Sequence, residues 1–164
     1  MAKRPPPGKC VHCLEFHQIL TWDHVFPQAW YPTSTPKNLY KWQIPSCHEC
    51  NNEYSIIERD LMIRIGLCLD PYDEASKGIH QKALRAIDPA QGKSEQDKRA
   101  REAKWLQLKS QTVVVGTVSS DTIYPNFGPE HSQSSNPAIP LLVSQKSIFK
   151  LSEKIARGLI FIEN

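Results

Sequence analysis

The sequence predicts an α+β chain: a short two-stranded ribbon, then helices, then an irregular C-terminal segment. Three observations carry this. Two runs rich in aromatic and β-branched residues, 20–26 and 39–44, stop at Pro27 and Pro45. From residue 52 onward, apolar residues recur at three- and four-residue steps. Two Cys-x-x-Cys pairs, Cys10/Cys13 and Cys47/Cys50, bracket the ribbon with 33 residues between them.

Composition sets the outer limits. A chain of 164 residues has room for one domain, or one small domain with an appendage. Its 40% hydrophobic and 23% charged content is ordinary globular usage and excludes a fully disordered chain. No run approaches the ~18 apolar residues of a membrane span. The basic N-terminus runs into a proline triplet where a secretory signal needs an apolar stretch. The expectation is a soluble protein of the reducing cytoplasm, where paired cysteines hold metal more often than they bridge. A formal charge of +3 says little about partners.

Taken in order, residues 1–9 read as a basic, mobile tail. Leu20–Phe26 and Leu39–Ile44 form the ribbon, joined through the loop Thr33–Asn38. A ribbon of this size is marginal without a staple. A helix follows from Asn52 to Leu69, capped by Asn51 or Asn52. Its apolar face holds Tyr54, Ile57, Leu61, Ile65 and Cys68, and Asp70-Pro71 closes it. A second helix covers Tyr72–Ile87. A third runs from Ser94 to about Lys109, with Ser94 and Asp97 spaced as a capping box. Thr112–Val118 is strand-like, and 119–140 reads as a loop rich in Ser, Asn and Pro. A last helix sets Ile148, Leu151, Ile155 and Leu159 on one side, with Gly158 interrupting or capping it. No role follows for residues 111–164.

The cysteine pairs are the strongest chemical signal. Each Cys-x-x-Cys turn presents two sulfurs to one ion, and two such knuckles complete a tetrahedron suited to a structural Zn²⁺. An iron–sulfur cluster fits the same count, whereas a redox pair lacks its βαβ setting. His12 and His48, inside the knuckles, read as solvated bystanders. Between the pairs lies Asp23-His24-Val25-Phe26-Pro27, and directly after the last cysteine comes Asn51-Asn52. Successive strand residues face opposite ways, so Asp23 and His24 cannot share one job. An Asp23 carboxylate oxygen and an Asn51 amide oxygen suit a hard cation such as Mg²⁺.

The string CVHC…TWDHVFP…KNL…CHECNN, within residues 10–69, resembles the HNH endonucleases that carry a four-cysteine zinc. That resemblance implies a zinc-stapled ββα-metal unit that hydrolyses phosphodiester bonds in DNA, RNA not being excluded. It implies His24 as general base, Asn38 as the residue that steadies it, and Asp23 with Asn51 as ligands of a catalytic Mg²⁺ or Mn²⁺. Cys10, Cys13, Cys47 and Cys50 hold the structural zinc. The division expected is a tail 1–9, a nuclease core 10–69, a helical extension 70–110 and the remainder 111–164. On the third helix Lys98, Arg99, Arg101 and Lys104 are candidate phosphate contacts, set among acidic residues that equally suit a solvated face. A non-catalytic zinc module that binds nucleic acid, or an adaptor that binds protein, needs the same knuckles but no Asp-His between them.

Overall fold

The computed structural model describes residues 4–70, 72–111 and 141–164. Within them lie two small antiparallel sheets and four α-helices. The chain divides into two units, residues 1–87 with 143–164, and residues 88–142. The expected strand at 112–118 and loop at 119–140 lie outside the described residues.

In the first unit, β1 (Gly8–Lys9) pairs with β2 (Phe16–His17), so the end of the basic tail is structured. Between them the first knuckle turns tightly: Leu14 N–H reaches Cys10 O at 2.9 Å and Cys10 N–H reaches Glu15 O at 2.9 Å. Closing that turn puts Leu14 at φ 65°, a left-handed conformation that side chains beyond glycine adopt at a cost.

The ribbon proper is β3 (Thr21–His24) with β4 (Gln43–Ser46). The second strand therefore starts later than its apolar run suggests and includes Pro45. Pro45 opposes Trp22, a position where a proline withholds no ladder hydrogen bond, and its carbonyl accepts from Val11 N–H at 3.1 Å.

Helix α1 runs His48–Cys68, one turn earlier than the apolar period indicates. Its cap is Cys47, whose Sγ accepts from Cys50 N–H, and not Asn51 or Asn52. The knuckle thus doubles as the helix start, because its N–H groups already point at sulfur. Tyr54 and Leu61 are buried as expected, but so are Met62, Ile63, Arg64 and Gly66, while Cys68 is exposed rather than in the core. The single-face reading fails because α1 is packed by both α2 (Ile79–Ile87) and α4 (Gln145–Glu163). The second predicted helix splits: a 3₁₀ turn at Glu74–Ser76 precedes α2. Gly78 separates them at φ 82°, where a Cβ would sit 2.4 Å from Thr33 Cγ2.

In the second unit, α3 (Glu95–Ser110) begins as its capping box predicts, with Asp97 N–H donating to Ser94 Oγ at 3.2 Å.

Helix α4 passes through Gly158 without a break. The glycine is there for approach: a Cβ on it would lie 2.8 Å from Val25 Cγ1. Val11, Val25 and Ile44 form a small core against which Ile155 and Ile162 pack. Gly158→Val should therefore lift α4 from the ribbon and cost about 1–3 kcal/mol, read as a lower urea midpoint. An unchanged midpoint would show that α4 has slack at this contact.

Candidate functional site

The thiol cluster forms as the spacing predicts. The Sγ atoms of Cys10, Cys13, Cys47 and Cys50 all lie within 4.8 Å of one another, close enough to hold one metal ion. A tetrahedral zinc with ~2.3 Å bonds requires sulfurs only slightly closer, about 3.8 Å apart. Backbone N–H groups converge on the sulfurs: His12 and Cys47 donate to Cys10 Sγ at 3.4 and 3.3 Å. Burial works to raise the Cys10 thiol, but the Cys13 N–H first, then those of Cys47 and His12, outweigh it and bring the pKa down to about 6. Burial pushes Cys47 up to about 11 and Cys50 higher still. One thiolate is comfortable alone and four are not, so the cluster calls for a cation to hold them deprotonated. Leu20 seals its inner side against Cys10 and Cys47. His17, to which the sequence assigned nothing, stands 3.5 Å from Cys13 Sγ through Nε2.

Strand alternation places Asp23 inward, 7% exposed, and His24 toward the other face. The group against the His24 ring is Gln43, directly opposite on β4, with Nε2 to Nε2 at 3.2 Å. An amide NH₂ only donates, so this pairing suits a neutral ring whose Nε2 accepts. Burial lowers the His24 pKa from its ordinary 6.5; Asp23 opposes that, and Lys154 and Lys41 reinforce it. Asn38 sits in an exposed turn closed by Leu39 N–H to Pro36 O at 3.1 Å. The residue that touches the ring is thus Gln43.

Asn51 lies in the first turn of α1, its Nδ2 donating to Thr21 Oγ1 at 2.9 Å. That leaves its Oδ1 as a free acceptor type, and Thr21 shares its strand face with Asp23. Asp23 and Asn51 therefore both front the α1 side of the ribbon. The structure does not join His24 to either of them by a hydrogen bond among the described residues; Asp23 acts on the ring through its charge.

Asp23 is already partnered on both oxygens. His12 Nε2 lies 3.2 Å from Oδ2, and the Lys154 ammonium lies 2.9 Å from Oδ1. Lys154 also donates to Glu58 Oε1 and lies over the Tyr54 ring at 5.6 Å. Lys154 is fully buried, its side chain 1% exposed, and His12 is 6% exposed. Burial works to raise Asp23, but the His12 bond and the Lys154 charge more than reverse it, holding the carboxyl below its usual range. Burial raises Glu58, against the pull of the same ammonium. His12 is therefore no solvated bystander. Its ring packs on Tyr54 with centroids 4.6 Å apart, and its Nδ1 is buried with no hydrogen-bond partner among the described residues.

Arg157 ties the same helix to the knuckle, donating to His12 O at 2.9 Å. The sequence reading assigns neither α4 residue a role. A signal was present for Lys154: Leu151, Lys154, Ile155 and Gly158 fall at helical spacing, placing one lysine on an otherwise apolar stripe.

On α3, Lys98 and Arg99 are exposed, and Arg101 and Lys104 half-buried. Lys98 pairs with Glu95 at 2.7 Å and Arg101 with Asp97 at 3.0 Å, while Lys104 bonds Gln107 at 3.0 Å. Much of this basic patch is neutralised within its own helix.

No protein-family model, curated protein or solved structure matches this chain. No described helix is long and apolar enough to cross a membrane. The class defined by fold and site is an α+β chain whose four-cysteine cluster can hold a structural metal such as zinc.

Proposed function

We propose that the chain is a metal-dependent endonuclease of the HNH type, hydrolysing phosphodiester bonds in DNA. The observation that carries this is His24: a half-buried ring whose Nε2 lies 3.2 Å from the Gln43 amide, next in the strand to a buried Asp23, on the ribbon beside the thiol cluster. Burial lowers its pKa against the pull of Asp23, and Lys154 and Lys41 add to the lowering. Its resemblance to the family motif is the remaining support.

In this reading zinc is structural, held by Cys10, Cys13, Cys47 and Cys50. His24 Nε2 takes the proton of the attacking water, which replaces the Gln43 amide there, while Nδ1 keeps the ring's own proton. Before the water arrives Gln43 orients the ring, the part first expected of Asn38, and it gives up Nε2 as the water enters. Asp23 and Asn51 supply the carboxylate and amide oxygens that would hold Mg²⁺ or Mn²⁺, a donor set suited to a hard cation. Such a cation, when bound, offsets charge on the phosphate and the departing oxygen. Lys98, Arg99, Arg101 and Lys104 are the proposed backbone contacts, with Arg101 and Lys98 first giving up their intrahelical carboxylates.

A second reading, a non-catalytic zinc module that binds nucleic acid, draws on one observation: both oxygens of Asp23 are already engaged. Supercoiled plasmid separates the two. Zinc-loaded chain with added Mg²⁺ or Mn²⁺ should give nicked or linear product, and none when the cation is omitted. Plasmid retarded on a gel yet uncut with every divalent cation would establish the binding module instead.

A further inference from the structure

We propose that Lys154, delivered by the C-terminal helix α4, holds the place of a divalent cation on Asp23, so that cation binding and the Lys154–Asp23 pair exclude one another. The proposal rests on reading Asp23 as a cation ligand but not on hydrolysis itself.

The geometry is specific. A fully buried lysine places its ammonium 2.9 Å from Asp23 Oδ1, while His12 takes Oδ2 at 3.2 Å. Each carboxylate oxygen thus already has a nitrogen partner, and a cation must enter beside one of them. A dication beside that ammonium would also be repelled by it in surroundings where water screens little. The ammonium has somewhere to go, because it is shared with Glu58 Oε1 from α1. When a cation takes Asp23, Lys154 keeps Glu58 and its burial. The exchange needs a side-chain shift and no opening of the fold. It also makes the site answerable to α4: Arg157 on His12 O and Gly158 on Val25 set how deep Lys154 reaches.

The test is Mn²⁺ titration of the zinc-loaded full chain, followed by electron paramagnetic resonance, without DNA. Lys154→Gln should bind Mn²⁺ about tenfold or more tightly than wild type, since a competing unit charge is gone. Adding Asp23→Asn should remove the gain. Lys150→Gln, on the same helix but paired with Glu53 at 3.4 Å, should leave affinity nearly unchanged. Equal affinity in wild type and Lys154→Gln overturns the proposal. If that binding still vanishes with Asp23→Asn, the ligand reading survives alone; if neither protein binds, both fall.

Removing one partner of a buried ion pair can unfold a protein, so a second measurement uses the unaltered chain. The ¹⁵Nζ resonance of Lys154 should move in step with Mg²⁺ while that of Lys150 stays put. A Lys154 signal indifferent to saturating Mg²⁺ overturns the proposal equally.

Discussion

Cys47→Ser is expected to release zinc and unfold the N-terminal unit. Cys47 does four things at once. It offers a sulfur to the cluster, caps α1 by accepting from Cys50 N–H, donates its own N–H to Cys10 Sγ, and packs against Leu20. Serine keeps the cap but is a poor partner for zinc, and three thiolates leave the shell incomplete. The ribbon behind the cluster has only two strands of four residues each, below what holds together alone in water. Structural zinc contributes about 10–16 kcal/mol to folding small metal domains, comparable to the whole stability of ~5–15 kcal/mol typical of a domain. The measurement is zinc stoichiometry with a colorimetric chelator beside far-ultraviolet circular dichroism. Undiminished zinc with an unaltered spectrum would argue that Cys47 is not a ligand.

His24→Ala should lower plasmid cleavage by ~10²–10⁴-fold while zinc content and fold stay as they were. The ring is half-buried at the end of β3, and its hydrogen bond to Gln43 is on the surface, so little stability depends on it. The pH profile of the wild type carries a sign that can be worked out. A general base must be neutral. Burial holds the His24 pKa below 6.5, with Lys154 and Lys41 adding to it against Asp23. Cleavage should therefore fall toward acid pH with its midpoint below 6.5, the fall being absent from residual His24→Ala activity. A midpoint at or above 6.5 would assign the limb to a different group. Full activity in His24→Ala would remove the imidazole from the chemistry altogether.

How far the sequence reached depends on the range of the interactions involved. Local signals were legible. The capping box at Ser94 and Asp97, the four-cysteine spacing, the opposed faces of Asp23 and His24, and a C-terminal helix around Leu151 and Ile155 all depend on neighbours a few residues away, or on one metal's geometry. Boundaries slipped where a tertiary partner replaced a local one. The start of α1 moved to His48 because a sulfur, rather than an asparagine, receives its first N–H groups. The second helix broke at Gly78 because Thr33, 45 positions earlier in the chain, occupies the space a side chain would need.

What the sequence by itself determined is the inventory: two knuckles facing one ion, an Asp-His pair on opposite faces of a strand, and an asparagine at a helix start. Periodicity and the two-residue alternation of strands are enough for that. Which of those groups is free to act was decided by the tertiary structure alone. Lys154 lies 131 residues beyond Asp23, and Arg157 lies 145 beyond the His12 carbonyl. No local pattern encodes such pairings, because a buried ammonium is tolerated only where the finished fold supplies two carboxylates to receive it.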